Sequence, residues 1–222
     1  MLESHYRRDL GLVENDIANG IEAVYVERTI NKLALEDPKA FAILNANALF
    51  WTVQIRCLYT TIFMTLGRIF DHQAHSIQKV LTATVENPQI FSKEAIGLRK
   101  LVGGRRPEWL DMYLKDLWVH NPDDPQPLID ETERFRNIYE AVYRPIRSKV
   151  YAHRVLKEDA HVANLFQKTN VSELEEMFRF LYKLAHSLAF TFDNGTKPCL
   201  DDWDFGGRET IERATQKAIL GS

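Results

Sequence analysis

Residues 38–70, PKAFAILNANALFWTVQIRCLYTTIFMTLGRIF, form the most apolar stretch of the chain and decide its fold class. Apolar residues occupy much of the helical circumference, which is typical of a buried helix. Polar residues interrupt the stretch, and its cleanest run, between Arg56 and Arg68, is shorter than the about 20 residues of a membrane-spanning helix. We therefore expect a central core helix over 38–70 in a soluble protein with no membrane association.

Helical periodicity continues on both sides of this stretch, and no alternating strand pattern with hairpin turns occurs. Asp37-Pro38 ends a first helix over 9–35 and begins the next, since proline is favoured at the first helical position. Further helices are predicted over 76–85, 92–101, 107–119, 128–156, 172–190 and 209–219, with a proline-rich loop over 121–127. Ser172 and Glu175 have the spacing of a capping box. The predicted fold is all-α, an up-and-down bundle of four long helices with short accessory helices.

Composition limits the classes of protein to be considered. The 222 residues are 45% hydrophobic and 27% charged, which is typical of a globular chain. Cys57 and Cys199 are too few for a disulfide framework or a cysteine-based zinc site. The first ten residues, MLESHYRRDL, lack the apolar core of a signal peptide, so we expect a cytoplasmic protein.

Positive charge is concentrated in one segment of the predicted long helix. Five basic residues surround His153, with no acidic residue before Glu158: they are Arg144, Arg147, Lys149, Arg154 and Lys157. The whole chain has a net charge of -3, so its surface as a whole does not favour a polyanion. This local cluster does favour one, because arginine can bind a phosphate through two hydrogen bonds.

Helix geometry separates the basic residues onto different faces. On a straight α-helix one stripe is apolar and leads to His153: Phe135, Ile138, Val142, Ile146 and Val150. The neighbouring stripe is polar and aromatic: Arg136, Glu140, Tyr143, Arg147, Tyr151 and Arg154. Arg147 and His153 would then point roughly 120° apart and lie about 9 Å apart along the axis. Only a bend at Pro145, or a second copy of the helix, would bring both to one phosphate.

The segment RSKVYAHR, residues 147–154, resembles the signature of the HEPN superfamily. In those helical proteins an arginine and a histidine, with four to six residues between them, lie near the end of a long helix. It is similar in particular to the R-x-K-x-x-A-H segment of the abortive-infection, AbiU-type branch. Upstream, GRIFD at 67–71 followed by SIQKVL at 76–81 is similar to the same branch. The resemblance implies one helical domain over 1–222, with a HEPN-like core at about 35–190 and a C-terminal extension over 191–222.

The resemblance also implies a function. HEPN proteins of this kind are homodimeric, metal-independent endoribonucleases without a cofactor, often toxins or phage-defence effectors, so RNA and an antitoxin protein are the expected partners. The motif helices of two copies would face each other across the dimer. His153 would move a proton at the ribose 2′-hydroxyl or the leaving oxygen, and Arg147 would stabilise charge on the scissile phosphate. The expected supporting or RNA-binding residues are Arg144, Ser148, Lys149, Tyr151, Arg154 and Asp71.

A non-catalytic function is the main alternative. Active members commonly carry Asn, Asp or His directly after the arginine, whereas this chain has Ser148. Members without nuclease activity act as binding or dimerisation modules, here for RNA, a nucleotide or a protein. Judged by spacing alone, His153 would be a core residue and the basic run a solvated face.

Three other clusters offer alternative sites. The candidate metal-ligand sets, for a metal-dependent helical-bundle enzyme, are Asp71 with His72 and His75, and His72 with His161 and His186. The expected place of Asp71 at a helix end favours instead a capping role or a pairing with a basic residue of the motif helix. The segment RRPEW, residues 105–109, offers an auxiliary RNA contact, or a tryptophan that docks a short helix on the core.

Overall fold

A computed structural model describes residues 2–71, 75–121, 123–152, 159–200 and 204–221, with the backbone alone at 152 and 159–161. The fold is all-α, as predicted. Within the described ranges the one β feature is an isolated antiparallel bridge between Val102 and Arg105.

The described α-helices are α1 (Leu2–Glu36), α2 (Pro38–Ala46), α3 (Ala48–Phe70), α4 (Ile77–Glu86), α5 (Lys93–Arg99), α6 (Leu110–Lys115), α7 (Gln126–Ile138), α8 (Arg144–Ile146), α9 (Asp159–Phe166), α10 (Val171–Asn194) and α11 (Arg208–Leu220). A 3₁₀ turn covers Pro88–Phe91. Two π-helical segments, Tyr139–Tyr143 and Arg147–Ala152, flank α8.

The centre of the core is α1, which packs against α3, α10 and α11. The 35-residue length of α1 lets it contact elements from both ends of the chain. Gly20 marks the closest approach, because a Cβ there would lie 2.9 Å from Thr65 Oγ1 on α3 and closer still to the Phe178 ring on α10. A second, smaller cluster joins the ends of α1, α2 and α11.

The expectation of one core helix over 38–70 is wrong. The helix ends at Asn47, whose backbone (φ −121°, ψ 38°) is not helical, and restarts as α3. Only the C-terminal half of α3 is buried, whereas Leu49, Phe50 and Val53 are 82%, 55% and 44% exposed. Apolar composition predicted burial all round this half of the helix, whereas only the face with Trp51 and Ile55 packs, against the cluster formed by α1, α2 and α11.

The length and composition of α3 alone would allow it to cross a membrane, and it is the one such helix found among the described residues. Its C-terminal half packs in the core with α1. This arrangement is consistent with a soluble protein.

Capping explains several helix ends. Asp37 caps α2 as predicted, and its side chain accepts hydrogen bonds from the backbone of Lys39 and Ala40. The predicted capping box of Ser172 and Glu175 is wrong, because α10 begins at Val171 and is capped by Asn170. Glu175 is instead buried and pairs with Arg28 of α1.

Candidate functional site: an arginine clamp on a π-helical segment

The chain predicted as a long helix over 128–156 is helical through its described residues, but it is not an uninterrupted α-helix. After α7 the chain enters a π turn, makes one α turn (α8), and enters a second π segment. Pro145 gives the physical reason, because proline cannot donate a backbone hydrogen bond and its ring displaces the carbonyl four residues earlier. The neighbouring Arg144 N–H accordingly donates to the Tyr139 carbonyl, five residues back. Such π turns are frequent at functional sites. We call residues 139–152 the motif segment.

The π turn changes which side chains face the core. Tyr139 and Tyr143 are 2% and 0% exposed and continue the buried face of Phe135, whereas Ile138 and Val142 are only partly buried. The prediction that Tyr143 lies on a polar stripe is therefore wrong. A hydrogen bond to the fifth preceding residue rotates the faces relative to an uninterrupted α-helix.

Arg147 lies directly against the backbone of α3. A Cβ added at Gly67 would lie 2.7 Å from Arg147 Cζ and as close to Cδ and Nε, so only glycine leaves room for this side chain. The aromatic ring of Phe70, one turn along α3, stacks on Tyr139 with 5.2 Å between the ring centres. These contacts fix where the arginine leaves the helix, and we call this arrangement the arginine clamp.

The guanidinium of Arg147 retains hydrogen-bonding capacity. Its Nη2 lies 3.9 Å from Asp71 Oδ2 at the end of α3, an ion pair too long for a hydrogen bond. Its Nε is buried and has no hydrogen-bond partner among the described residues. Burial raises the pKa of Tyr139, and the positive charge of Arg147, together with a hydrogen bond that its guanidinium donates to the Tyr139 hydroxyl, partly offsets that rise. The arrangement therefore presents a held cation with donors to spare, which suits a phosphate.

The other basic and polar residues of the motif segment are more open. Arg144 is exposed and pairs with Glu140, a hydrogen bond that raises the arginine pKa. Lys149 is exposed, and Ser148 is half-buried. Asp71 lies near the motif segment from the other side, which is the pairing with a basic residue that the sequence suggested.

Tyr151 joins the motif segment to α3. Its ring stacks on Phe63 at 5.3 Å with 24° between the planes. Burial raises the pKa of Tyr151, and the charge of Arg56, on the exposed face of α3, opposes that rise. Tyr151 therefore holds the segment in place as well as lying beside a second arginine.

His153, Arg154 and Lys157 lie outside the described residues. The assignment of His153 as the proton-transfer residue stays a prediction. The separation of Arg147 and His153 expected for a straight α-helix does not apply, because residues Arg147–Ala152 form a π-helix.

The residues of the alternative metal and RNA sites make other contacts. His75 Nδ1 lies 3.0 Å from Asp9 Oδ1, and His186 packs against Tyr182. No group of three potential metal ligands was found among the residues described; His72 and the side chain of His161 fall outside them. In the segment 105–109, Trp109 is 47% exposed and meets Tyr113 edge to face.

An all-α chain with Arg147 in a long helical segment, and a histidine six residues later in its sequence, has the features of a HEPN protein. The AbiU2 family model, HEPN_AbiU2, matches residues 15–215, and the chain therefore belongs to this abortive-infection branch of HEPN proteins. No curated protein and no solved structure gave a significant match.

Two residues of the arginine clamp were not predicted from the sequence. Gly67 was named only as part of the GRIFD stretch and was given no role, and Tyr139 was not named. An isolated glycine inside an apolar helix usually has a packing reason, which was the available signal. Tyr139 follows Phe135 by four residues and lies about 40° from it on a helix, so periodicity was the available signal for its burial.

Proposed function

We propose that this protein is a metal-independent, homodimeric endoribonuclease that cleaves RNA by attack of the ribose 2′-hydroxyl. Arg147 stabilises charge on the scissile phosphate, and His153 transfers a proton at the 2′-hydroxyl or the leaving oxygen. Membership of an abortive-infection family supports a role as a toxin or phage-defence effector. A protein antitoxin is the corresponding partner.

One observation carries the proposal: the arginine clamp. Gly67 and the stacked aromatic pair position Arg147, yet its Nε finds no partner among the described residues, and its carboxylate neighbour lies 3.9 Å away. Tyr139 accepts a hydrogen bond from the guanidinium and Asp71 lies beyond hydrogen-bond distance, so the Arg147 side chain, which is 25% exposed, keeps donors that a transition-state phosphate would use.

The exposed half of α3 supports the homodimer. Leu49, Val53, Arg56 and Thr60 are exposed along one face of α3. Gly67 lies 18 residues after Leu49, which is five helical turns, so it falls on the same face about 27 Å along the axis. An apolar face of this kind marks a protein contact. A second copy bound there would adjoin the motif segment.

Cleavage chemistry tests the proposal directly. We expect the purified protein to cut single-stranded RNA in EDTA and to leave a 2′,3′-cyclic phosphate, because proton transfer and charge stabilisation suffice without a metal. End-group analysis by mass spectrometry measures this product. Cleavage only with added divalent metal, or 5′-phosphate products, would contradict the mechanism. RNA binding without cleavage would instead establish the non-catalytic module.

Charge on the exposed face of α3 is expected to separate the dimer. The double change Leu49→Glu with Val53→Glu places four carboxylates across the proposed interface, where like charges repel. We expect a monomer by analytical ultracentrifugation, with RNA cleavage lost and the thermal midpoint nearly unchanged. Leu98→Glu with Val102→Glu is the matched control, since these side chains are 69% and 70% exposed on another surface. A dimer that survives the α3 change would place the interface elsewhere.

A further inference from the structure

A cavity lies between α4 and α7, the helix that precedes the motif segment. Its volume is about 260 Å³. Leu81, Val85 and Ile129 form apolar walls, and two carboxylates, Glu86 and Glu133, lie at its edge. The volume is below the about 300–1,000 Å³ of pockets for drug-sized ligands, so it suits a single flat heterocycle.

The polar group of this cavity is Gln78, in the first turn of α4. Both atoms of its amide, Oε1 and Nε2, are buried and have no hydrogen-bond partner among the described residues. Native proteins rarely leave a buried amide wholly unpaired, because the lost hydration is not replaced. The amide therefore offers an adjacent donor and acceptor to a molecule that enters the cavity.

The two walls of the cavity lead to the arginine clamp. The helix α4 is capped by Ser76, five residues after Asp71, which neighbours Arg147. On the other wall, α7 continues into the motif segment, and Thr132 precedes Arg147 by 15 residues, about 22 Å along a helix. A base in the cavity and a phosphate at Arg147 would therefore belong to nucleotides a few positions apart on one RNA strand.

We propose that this cavity is a base-recognition subsite that prefers adenine, an inference that rests on the proposed function for its role in RNA cleavage. A glutamine amide pairs with adenine through two hydrogen bonds, one to the amino group and one to a ring nitrogen. The carboxylates of Glu86 and Glu133 favour an amino group and disfavour a phosphate, which assigns the base to the cavity and the phosphate to Arg147. Glu133 is itself held by Arg136 at 3.2 Å.

Nucleosides test the subsite without a phosphate. We expect adenosine to shift the NMR signals of residues around the cavity, uridine to bind more weakly, and Gln78→Met to weaken adenosine binding about tenfold or more. Gln89→Met is the matched control, because Gln89 is an exposed glutamine on the neighbouring 3₁₀ turn. Arg147→Ala should leave adenosine binding unchanged.

The thermal stability of the ligand-free protein gives a second, independent test. Gln78→Met removes an unpaired buried amide, so we expect its thermal midpoint to rise by about 2–4 °C. Gln78→Glu, which removes the donor, should also lose adenosine and serves as the second variant. Equal adenosine binding by wild type and both Gln78 variants would overturn the subsite, as would no adenosine binding at all.

The two proposals fail separately. Adenosine binding that depends on Gln78, in a protein that does not cut RNA, would support the cavity and contradict the nuclease. RNA cleavage with no preference for adenine in the substrate, unchanged by Gln78→Met, would support the nuclease and contradict the subsite.

Discussion

Arg147→Ala is expected to lower the rate of RNA cleavage by about 10²–10³-fold, the usual effect of removing one group that stabilises developing negative charge. The side chain is 25% exposed and its Nε is unpaired among the described residues, so its loss should cost little stability. Single-turnover cleavage of a labelled RNA measures the rate, and circular dichroism checks the fold.

Arg147→Lys separates charge from geometry. Lysine keeps the positive charge but cannot offer two parallel hydrogen bonds. We therefore expect cleavage by Arg147→Lys to stay much closer to that of Arg147→Ala than to that of the wild type. Full activity in the lysine variant would show that the clamp supplies only charge.

His153→Ala provides the comparison within the motif. Loss of a general acid or base costs about 10²–10⁴-fold, so its effect should match or exceed that of Arg147→Ala. Two residues that act in one step are strongly non-additive, and the double variant should be little worse than His153→Ala alone. Undiminished cleavage by either single variant would remove that residue from the site.

Gly67→Ala is expected to lower the rate of RNA cleavage about as much as Arg147→Ala does. A Cβ at this position would lie 2.7 Å from Arg147 Cζ and closer still to Cδ and Nε, so the arginine must leave the clamp and its guanidinium no longer faces the phosphate. The displaced atoms are the far end of a flexible side chain, and alanine is favoured over glycine inside a helix, so the free energy of unfolding should change by less than about 1 kcal/mol. The thermal midpoint should therefore stay within about 4 °C of the wild type.

A double-mutant cycle identifies the clash as the cause. In the Arg147→Ala background the obstructing side chain is gone, and alanine at Gly67 should then stabilise α3 by about 0.5–1 kcal/mol, as it does inside other helices. Gly11→Ala in α1 is the matched control, because the nearest atom to its Cβ, Arg7 Nη1, is 3.9 Å away. A loss of stability that persists without the arginine would contradict the clamp.

Local signals predicted much of the fold. Asp37-Pro38 has the chemistry of a helix start, and the structure shows that cap. Gly195 has a positive φ of 61° and follows Asn194, the last residue of α10, where glycine is the usual residue. These features were predictable because a cap depends on a few neighbouring residues.

The features that were predicted wrongly are set by contacts between residues far apart in the chain. The N-terminal half of α3 is as apolar as its buried half, and only the packing of α1 decides which half is covered. The predicted apolar and polar faces of the motif segment assumed a straight α-helix. Pro145 was recognised as a possible bend, but the sequence did not show that two π segments would flank it.

The sequence by itself determined the all-α class, the family to which the chain belongs, and the basic segment around Arg147. Periodicity, capping and a short motif carry that information locally. The tertiary structure decided that Gly67 makes room for Arg147, that Tyr139 is buried beside it, and that Gln78 faces a cavity. Those contacts join residues far apart in the chain, and only the packing of α3 and α4 against the motif segment and α7 brings them together.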